Sequence, residues 1–454
     1  MQSTAHDFLH AGGPGLERET VILRYRRNRA RTRALFDVLQ DDAYYSRPIA
    51  LRHPLVFYEG HLPAFSFNTL VRRALGESSI DTRLERLFAR GIDPHESLAG
   101  REDRESWPDR DVVRRFADEA DRRVIAALES ADLWRPGHPL LDRAEAVFTI
   151  LEHEVMHQET LRYMCHRLPL QQKRTPAGYA PVTRGMPPSQ RWISIPAGRA
   201  ALGVAATDAS FSWDNERPRF EVNVSPFAIE RHDTTNASFL EFVEAGGYRD
   251  PRWWRQDDWA WVQRESVRHP AFWTRQDGDW HWRGMFQLLP LPKSWPAYVS
   301  FAEANAYARW RGARLPSEAE FQRAAYASDS GGYRHYPWGN EPPDAGRGVF
   351  DFVSWDPEPA GSHPAGRSSW GVDDLVGNGW EWTSTVFGPF PGFRPLSSYP
   401  EYSADFFDGE HIVMKGASPA TARELLRPSF RNWYRPRYPY VYATFRCARA
   451  TVSA

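Results

Sequence analysis

Apolar residues recur at three- and four-residue spacing through much of the first 168 residues, and that period predicts helices. Residues 17–40 read as a charged, amphipathic helix and residues 111–130 as a second with a clear apolar stripe. Residues 142–168 give the longest pattern, closed by Pro169. Between the first two lies residues 55–75, a helix that Pro63 should start or kink. Four helices with intervening loops predict an antiparallel bundle over residues 1–168. Residues 169–190 hold five prolines and no period, the pattern of a linker. From 191 to 454 the texture changes to short apolar runs broken by Gly, Pro, Asp and Trp. One short helix stands out there, residues 300–310. This half reads as a loop-rich α+β domain.

Composition narrows the class. With 57 Lys and Arg against 58 Asp and Glu the net charge is −1, which argues against wholesale binding to nucleic acid or an acidic membrane. No apolar run reaches the length of a membrane span. The opening MQSTAHDFLHAGG lacks a basic-then-apolar leader pattern, so the expected compartment is the cytoplasm. Cys165 and Cys447 are the only cysteines, which excludes a disulfide framework. Aromatic residues reach 14%, with 19 Trp. They serve as core filler for a loop-rich fold, and some suit a pocket for a flat or cationic ligand.

His153 and His157 stand four apart and share one helix face with Ile150, Leu161 and Met164. Two imidazoles aimed into an apolar interior need partners, because an unsatisfied buried polar group costs about 1–3 kcal/mol. A metal ion would satisfy both, and so would a carboxylate such as Glu152 or Glu159. The same letters form HExxH, with Glu154 in the place of a zinc-protease base. The residues that follow run directly to Pro169 and the linker, leaving no downstream ligand for that reading. His61 sits between Phe57 and Phe65, four residues from each, and is the natural third ligand. Three neutral nitrogens leave metal positions open; zinc and ferrous iron both suit them on ligand type.

The second half carries a run of motifs: WISIPAG at 192–198, TTNASF at 234–239, ARLPSEAE at 313–320, YPWGN at 336–340, GNGWEWT at 377–383 and FRCAR at 445–449. Together with a His-bearing bundle like the DinB family, they resemble the ergothioneine sulfoxide synthase family. In that family a DinB-like four-helix bundle precedes a C-type-lectin-like domain of the formylglycine-generating-enzyme type. The catalytic cysteine pair of the formylglycine-generating enzymes looks absent, and Cys447 in the terminal FRCAR strand reads as a packing residue. The resemblance implies a three-histidine site for Fe(2+) at His61, His153 and His157. It implies dioxygen-dependent bonding of a chalcogen atom to hercynine, the trimethylated betaine of histidine. It makes Tyr399, in SYPEYS at 398–403, the phenol that supplies a proton, with Tyr402 as a nearby substrate contact. Asn432 and Trp433 are expected to hold the hercynine carboxylate, and Tyr402 and Trp433 its trimethylammonium group. Trp380 and Trp382 are expected to be structural.

Two departures bear on the donor. Sulfoxide synthases of the actinobacterial kind carry a glutamine that binds hercynine where this chain has Met156. They also follow the Asn-Trp pair with an aspartate for γ-glutamylcysteine, where this chain has Tyr434, followed by Arg435 and Arg437. A ring there suits a sugar face, with the arginines as hydrogen-bond donors. The RHPLVFYEGH run at 52–61, HQETLRYM at 157–164 and RNWYRPRYPY at 431–440 are similar to the selenoneine synthase branch, which uses a selenosugar, 1-seleno-N-acetylglucosamine. The expected function is therefore carbon–selenium bond formation. The alternative is an ergothioneine-type enzyme using a thiol, γ-glutamylcysteine or cysteine. Ovothiol-type synthases share the RHPLVFY run but carry a C-terminal methyltransferase domain, for which a chain ending at Ala454 has no room. Arg52 and Arg162 are the bundle's candidates for the distal part of the donor. On a non-enzymatic reading the histidines pack the core and the second half is a lectin-like binding module.

Overall fold

The computed structural model describes residues 17–89, 107–328 and 331–451; the opening MQSTAHDFLHAGG and the expectation attached to it lie outside them. The chain divides into two compact units, Met1–Gly178 with Leu396–Pro400, and Tyr179–Pro395 with Glu401–Ala454.

The first unit holds helices α1 (Arg18–Asp37), α2 (Leu55–Ser66), α3 (Thr82–Leu87), α4 (Arg110–Ser130) and α5 (Glu145–Arg167). The four expected helices are present, and the short α3 is an addition. Pro63 does not start α2. The helix begins after Pro54, and Pro63 lies inside it. Past Ser66 the backbone widens into a π-helix, Phe67–Ala74, so the expected single helix over 55–75 is two kinds of helix in series. Proline removes one helical N–H and crowds the preceding turn, and the π-helix begins four residues after Pro63. α5 starts later than its pattern suggests, because Arg143 and Ala144 take left-handed φ of 53° and 55°.

From Ala146 to His166 every residue of α5 except half-buried Met156 is buried. A helix enclosed all round is the centre of a bundle rather than its face. Its polar side chains reach partners on α1: the Gln158 amide donates to the Asn28 carbonyl at 2.8 Å, and the Asn28 amide donates to the Leu151 carbonyl at 3.0 Å. The proline-rich stretch is no free tether. Up to Arg174 it packs on the first unit, with the Arg174 N–H donating to the Val38 carbonyl at 2.7 Å. From Tyr179 it belongs to the second, where the Tyr179 hydroxyl donates to Asp356 at 2.6 Å.

The second unit is built on short strands and loops. Its helices are α6 (Asn236–Glu244), α7 (Gln256–Arg264), α8 (Phe301–Trp310), α9 (Glu318–Tyr326) and α10 (Glu401–Ala404). Its strands are β1 (Trp192–Ile195), β2 (Gly198–Leu202), β3 (Phe220–Val224), β4 (Phe227–Glu230), β5 (Trp273–Gln276), β6 (Asp279–Arg283) and β7 (Leu288–Pro290). They continue as β8 (Gly379–Val386), β9 (Ile412–Ala417), β10 (Asn432–Tyr434), β11 (Ala443–Thr444) and β12 (Ala448–Ala450). The sheets run β1-β4-β12, β10-β9-β8-β11, β2-β3 and β5-β6-β7. β11 pairs parallel to β8; every other named pairing is antiparallel.

Ser300 caps α8 with Glu303 in a reciprocal box, which is why that helix is legible from its letters. The FRCAR segment is a buried tie. The Arg446 guanidinium donates to Glu381 at 2.6 Å and to Asp233 at 2.9 Å, with all three side chains enclosed. Cys447 is wholly buried, and burial pushes its thiol well above the usual range, so it is a packing residue. Trp380 and Trp382 are also buried, and the Trp382 indole N–H donates to the Val299 carbonyl at 2.9 Å.

Candidate metal centre

α2 and α5 bring three histidines together. His61, His153 and His157 are all buried, and each offers a nitrogen within 4.8 Å of those of the other two. The i, i+4 spacing on α5 turns the rings of His153 and His157 to one side, their Nε2 atoms 3.1 Å apart. His61 comes from α2 with its ring 5.2 Å and 5.1 Å from those two. Its Nδ1 lies 2.7 Å from the Phe88 carbonyl, which can only accept, so Nδ1 carries the proton and Nε2 keeps its lone pair.

Burial holds all three in the neutral form. It lowers the pKa of His61 to about 4, and those of His153 and His157 well below the usual range, where the neighbouring rings add to the effect. Nε2 of His61 and Nδ1 of both His153 and His157 have no hydrogen-bond partner among the described residues. Among the described residues, no carboxylate pairs with these rings as it would with ordinary core histidines. The 3.1 Å Nε2 pair matches two ligands on one ion, which sit about 3 Å apart for bonds of ~2.1 Å at right angles. The residues fit a divalent transition metal that accepts imidazole.

Glu154, the second letter of HExxH, is committed elsewhere. Its carboxylate accepts from the Arg29 guanidinium at 2.8 Å and from the Thr32 hydroxyl at 2.7 Å, both on α1. One residue on from His153, it points about 100° round the helix, away from the triad. The protease reading has no general base.

An aromatic sleeve lines the centre. Phe57 stacks on His61 at 4.8 Å, Phe65 on His153 at 3.5 Å, and Tyr58 lies 6.0 Å from His157. Tyr399, carried by the 396–400 segment, has its ring 6.0 Å from His153 and 5.3 Å from Phe65. Of the other residues singled out in this unit, Met156 is half-buried on α5. Arg52 is buried, with its guanidinium 3.3 Å from the Tyr163 hydroxyl, and Arg162 on α5 is also buried.

The second unit gathers the remaining candidates. Tyr402 stacks on Trp213 at 3.9 Å and meets Trp433 edge-on at 5.3 Å; Trp433 in turn stacks on Phe387 at 4.2 Å. The Asn432 amide oxygen accepts the Trp433 N–H at 2.9 Å, which leaves the amide's donors for other partners. Tyr434 is half-buried, its ring stacked on Tyr438 at 5.3 Å. Arg435 is exposed. The Arg437 guanidinium donates through Nε to the buried Asp258 at 2.9 Å, which ties its loop to α7. Sequence reasoning missed Phe65 as a ring partner, the Phe88 carbonyl as the orienter of His61, and Trp213. Only Phe65 left a signal, its four-residue spacing from His61.

Comparison with known proteins matches this arrangement. Residues 24–161 fit the DinB superfamily, and residues 180–451 fit the sulfatase-modifying factor enzyme 1-like domain. The chain belongs to the hercynine oxygenase family, with a DinB-type helical domain ahead of a sulfatase-modifying factor enzyme 1-like domain. The hercynine oxygenase of Mycolicibacterium smegmatis is 37% identical over 311 residues, covering 66% of this chain and 70% of that protein. Ergothioneine biosynthesis protein 1 of Schizosaccharomyces pombe is 29% identical over 455 residues, 91% of this chain but 54% of its own length. The formylglycine-generating enzyme of Mycobacterium tuberculosis is 30% identical over 322 residues, 58% of this chain and 98% of that one. Among the described residues no helix is long and apolar enough to cross a membrane.

Proposed function

We propose that the protein is a dioxygen-dependent enzyme that joins a sulfur donor to the imidazole ring of hercynine, an ergothioneine-type reaction. Its relatives' names support the substrate, and the convergence of three neutral, buried imidazoles carries the chemistry. His61, His153 and His157 would hold a ferrous ion, which supplies one-electron chemistry with dioxygen and a Lewis-acid position for a thiolate. Tyr399 holds the proton for the reacting oxygen at its phenol Oη. Phe57, Phe65 and Tyr58 keep bulk water from the centre and fix the ring planes of the ligands. Asn432 and the Trp433 indole N–H orient the hercynine carboxylate, while the faces of Tyr402 and Trp433 take the trimethylammonium group.

A second reading changes the donor only. Tyr434 presents a ring, stacked on Tyr438, where a carboxylate would pair the ammonium of an amino-acid thiol. Such a charge-assisted bond contributes roughly 1.5–3 kcal/mol, or tenfold or more in affinity. Its replacement by a ring, beside exposed Arg435, favours a sugar and with it the selenosugar of selenoneine synthesis. The test is hercynine, ferrous iron and oxygen with γ-glutamylcysteine, cysteine or 1-seleno-N-acetylglucosamine at equal concentration. Preference for an amino-acid thiol upholds the first reading. Preference for the selenosugar by more than a few-fold replaces it with the second. No consumption of hercynine with any donor overturns both.

A further inference from the structure

Tyr399 lies in a segment that is neither helix nor strand, so its ring is fixed only through the residues around it. The residue before it, Ser398, is gripped at every polar group. Its N–H donates to the Glu145 carboxylate at 2.8 Å. Its carbonyl accepts from the Arg73 guanidinium at 3.0 Å, and the Ser397 carbonyl accepts from the same group at 3.4 Å. Its hydroxyl pairs with the Thr149 hydroxyl at 2.8 Å, both side chains fully buried.

The grips come from the elements that carry the histidines. Glu145, Thr149 and His153 follow one another at four-residue steps along a single face of α5. Arg73 lies on the π-helical continuation of α2, the helix of His61 and Phe65. A shift of Ser398 along α5 would break all three grips at once, so the register between Tyr399 and His153 is set by the same stripe that holds His153. We propose that Glu145, Thr149 and Arg73 are positioning residues that set the Tyr399 phenol against the histidine triad through Ser398. This rests on the reading of Tyr399 given above and extends it to residues that touch no substrate.

The test uses the full chain, first without metal. Hydrogen exchange of the 396–400 peptide should quicken at least tenfold in Glu145→Ala, and Glu145→Gln, which keeps an oxygen acceptor, should restore most of the protection. Thr149→Val, nearly the same shape, should give the same direction with the fold intact. In the iron-loaded protein, Glu145→Ala and Thr149→Val should lower kcat on hercynine about tenfold with KM within twofold. They should also raise the share of donor oxidised without coupling, as is expected of Tyr399→Phe, and add nothing further in a Tyr399→Phe background. Unchanged exchange in both variants overturns the grip. Faster exchange with an unchanged coupling ratio overturns the positioning role. Should hercynine prove not to be a substrate, the metal-free exchange still reads the grip, so the two failures are distinguishable.

Discussion

Phe65 lies flat against His153, their ring centroids 3.5 Å apart and their planes 7° from parallel. The contact matters because the His153 Nδ1 has no hydrogen-bond partner among the described residues. His61 is oriented by a carbonyl and His153 by a stacked ring. One centre thus uses two physical means of fixing an imidazole, one directional and one steric.

Removing the ring should free His153 to turn. Phe65→Ala is expected to weaken metal binding about tenfold, at the low end of what loss of a ligand's supporting partner costs. Phe65→Leu keeps the volume without the flat face and should fold like the parent while still binding less tightly. A competition titration against a chelator, paired with thermal unfolding, checks both; equal affinity in Phe65→Leu would contradict the stacking argument.

The three histidines should act as one ligand set. Replacing His61, His153 or His157 by Ala is expected to take bound iron from near one per chain to near zero, with the helical circular dichroism retained. Metal analysis after desalting reads this directly, and full occupancy in His153→Ala would remove the site.

Gly60 precedes His61 and has no room for a side chain. A Cβ there would stand 2.4 Å from the Phe88 ring, which is itself fully buried. Gly60→Ala must therefore displace Phe88, whose carbonyl holds the His61 tautomer. We expect a stability loss of about 1–3 kcal/mol, the usual range for overpacking, together with a drop in metal affinity. Denaturant unfolding and metal titration on the same sample separate the two effects; intact affinity would show that the carbonyl does not orient the ring.

The second unit should lose stability in acid through Glu216. Burial alone would raise its carboxyl pKa, but the Arg427 guanidinium and the Ser429 hydroxyl outweigh that and hold it below 4.5. A carboxyl with a depressed folded pKa contributes its full stability above the unfolded value, near 4.5, and loses it as pH falls through the folded one. Unfolding midpoints from pH 7 to pH 3 should fall in the parent and fall less steeply in Glu216→Gln, from a lower starting value. Removing Arg427 leaves a buried carboxylate without its charge partner and should cost about 3 kcal/mol at pH 7.

The fold was legible where local patterns are strong. α4 and α8 stand within one residue of their expected ranges, because a clean apolar stripe and a capping box are read from neighbouring letters. α5 was misjudged at its start, since nothing in Asp142, Arg143 and Ala144 announces two left-handed residues. The π-helix after Ser66 was invisible too, since nothing in the letters of 67–74 tells a π-turn from an α-turn. The histidines could be paired by spacing, but their freedom from carboxylate partners, and the diversion of Glu154 to Arg29, depend on which helix lies opposite. The tie between Arg437 and Asp258 was equally out of reach, since 179 positions separate the two residues.

The 396–400 segment carries one further consequence, for the order in which the protein is made. Ser398 lies 253 positions after its partner Glu145. Ribosomes add roughly 5–20 residues per second, so the helices emerge on the order of ten seconds to a minute before that segment does. The ligand set can be complete in the nascent chain while its phenol is still unsynthesised. Any product truncated upstream of residue 396 would carry the three histidines without Tyr399, the phenol proposed above to hold the proton.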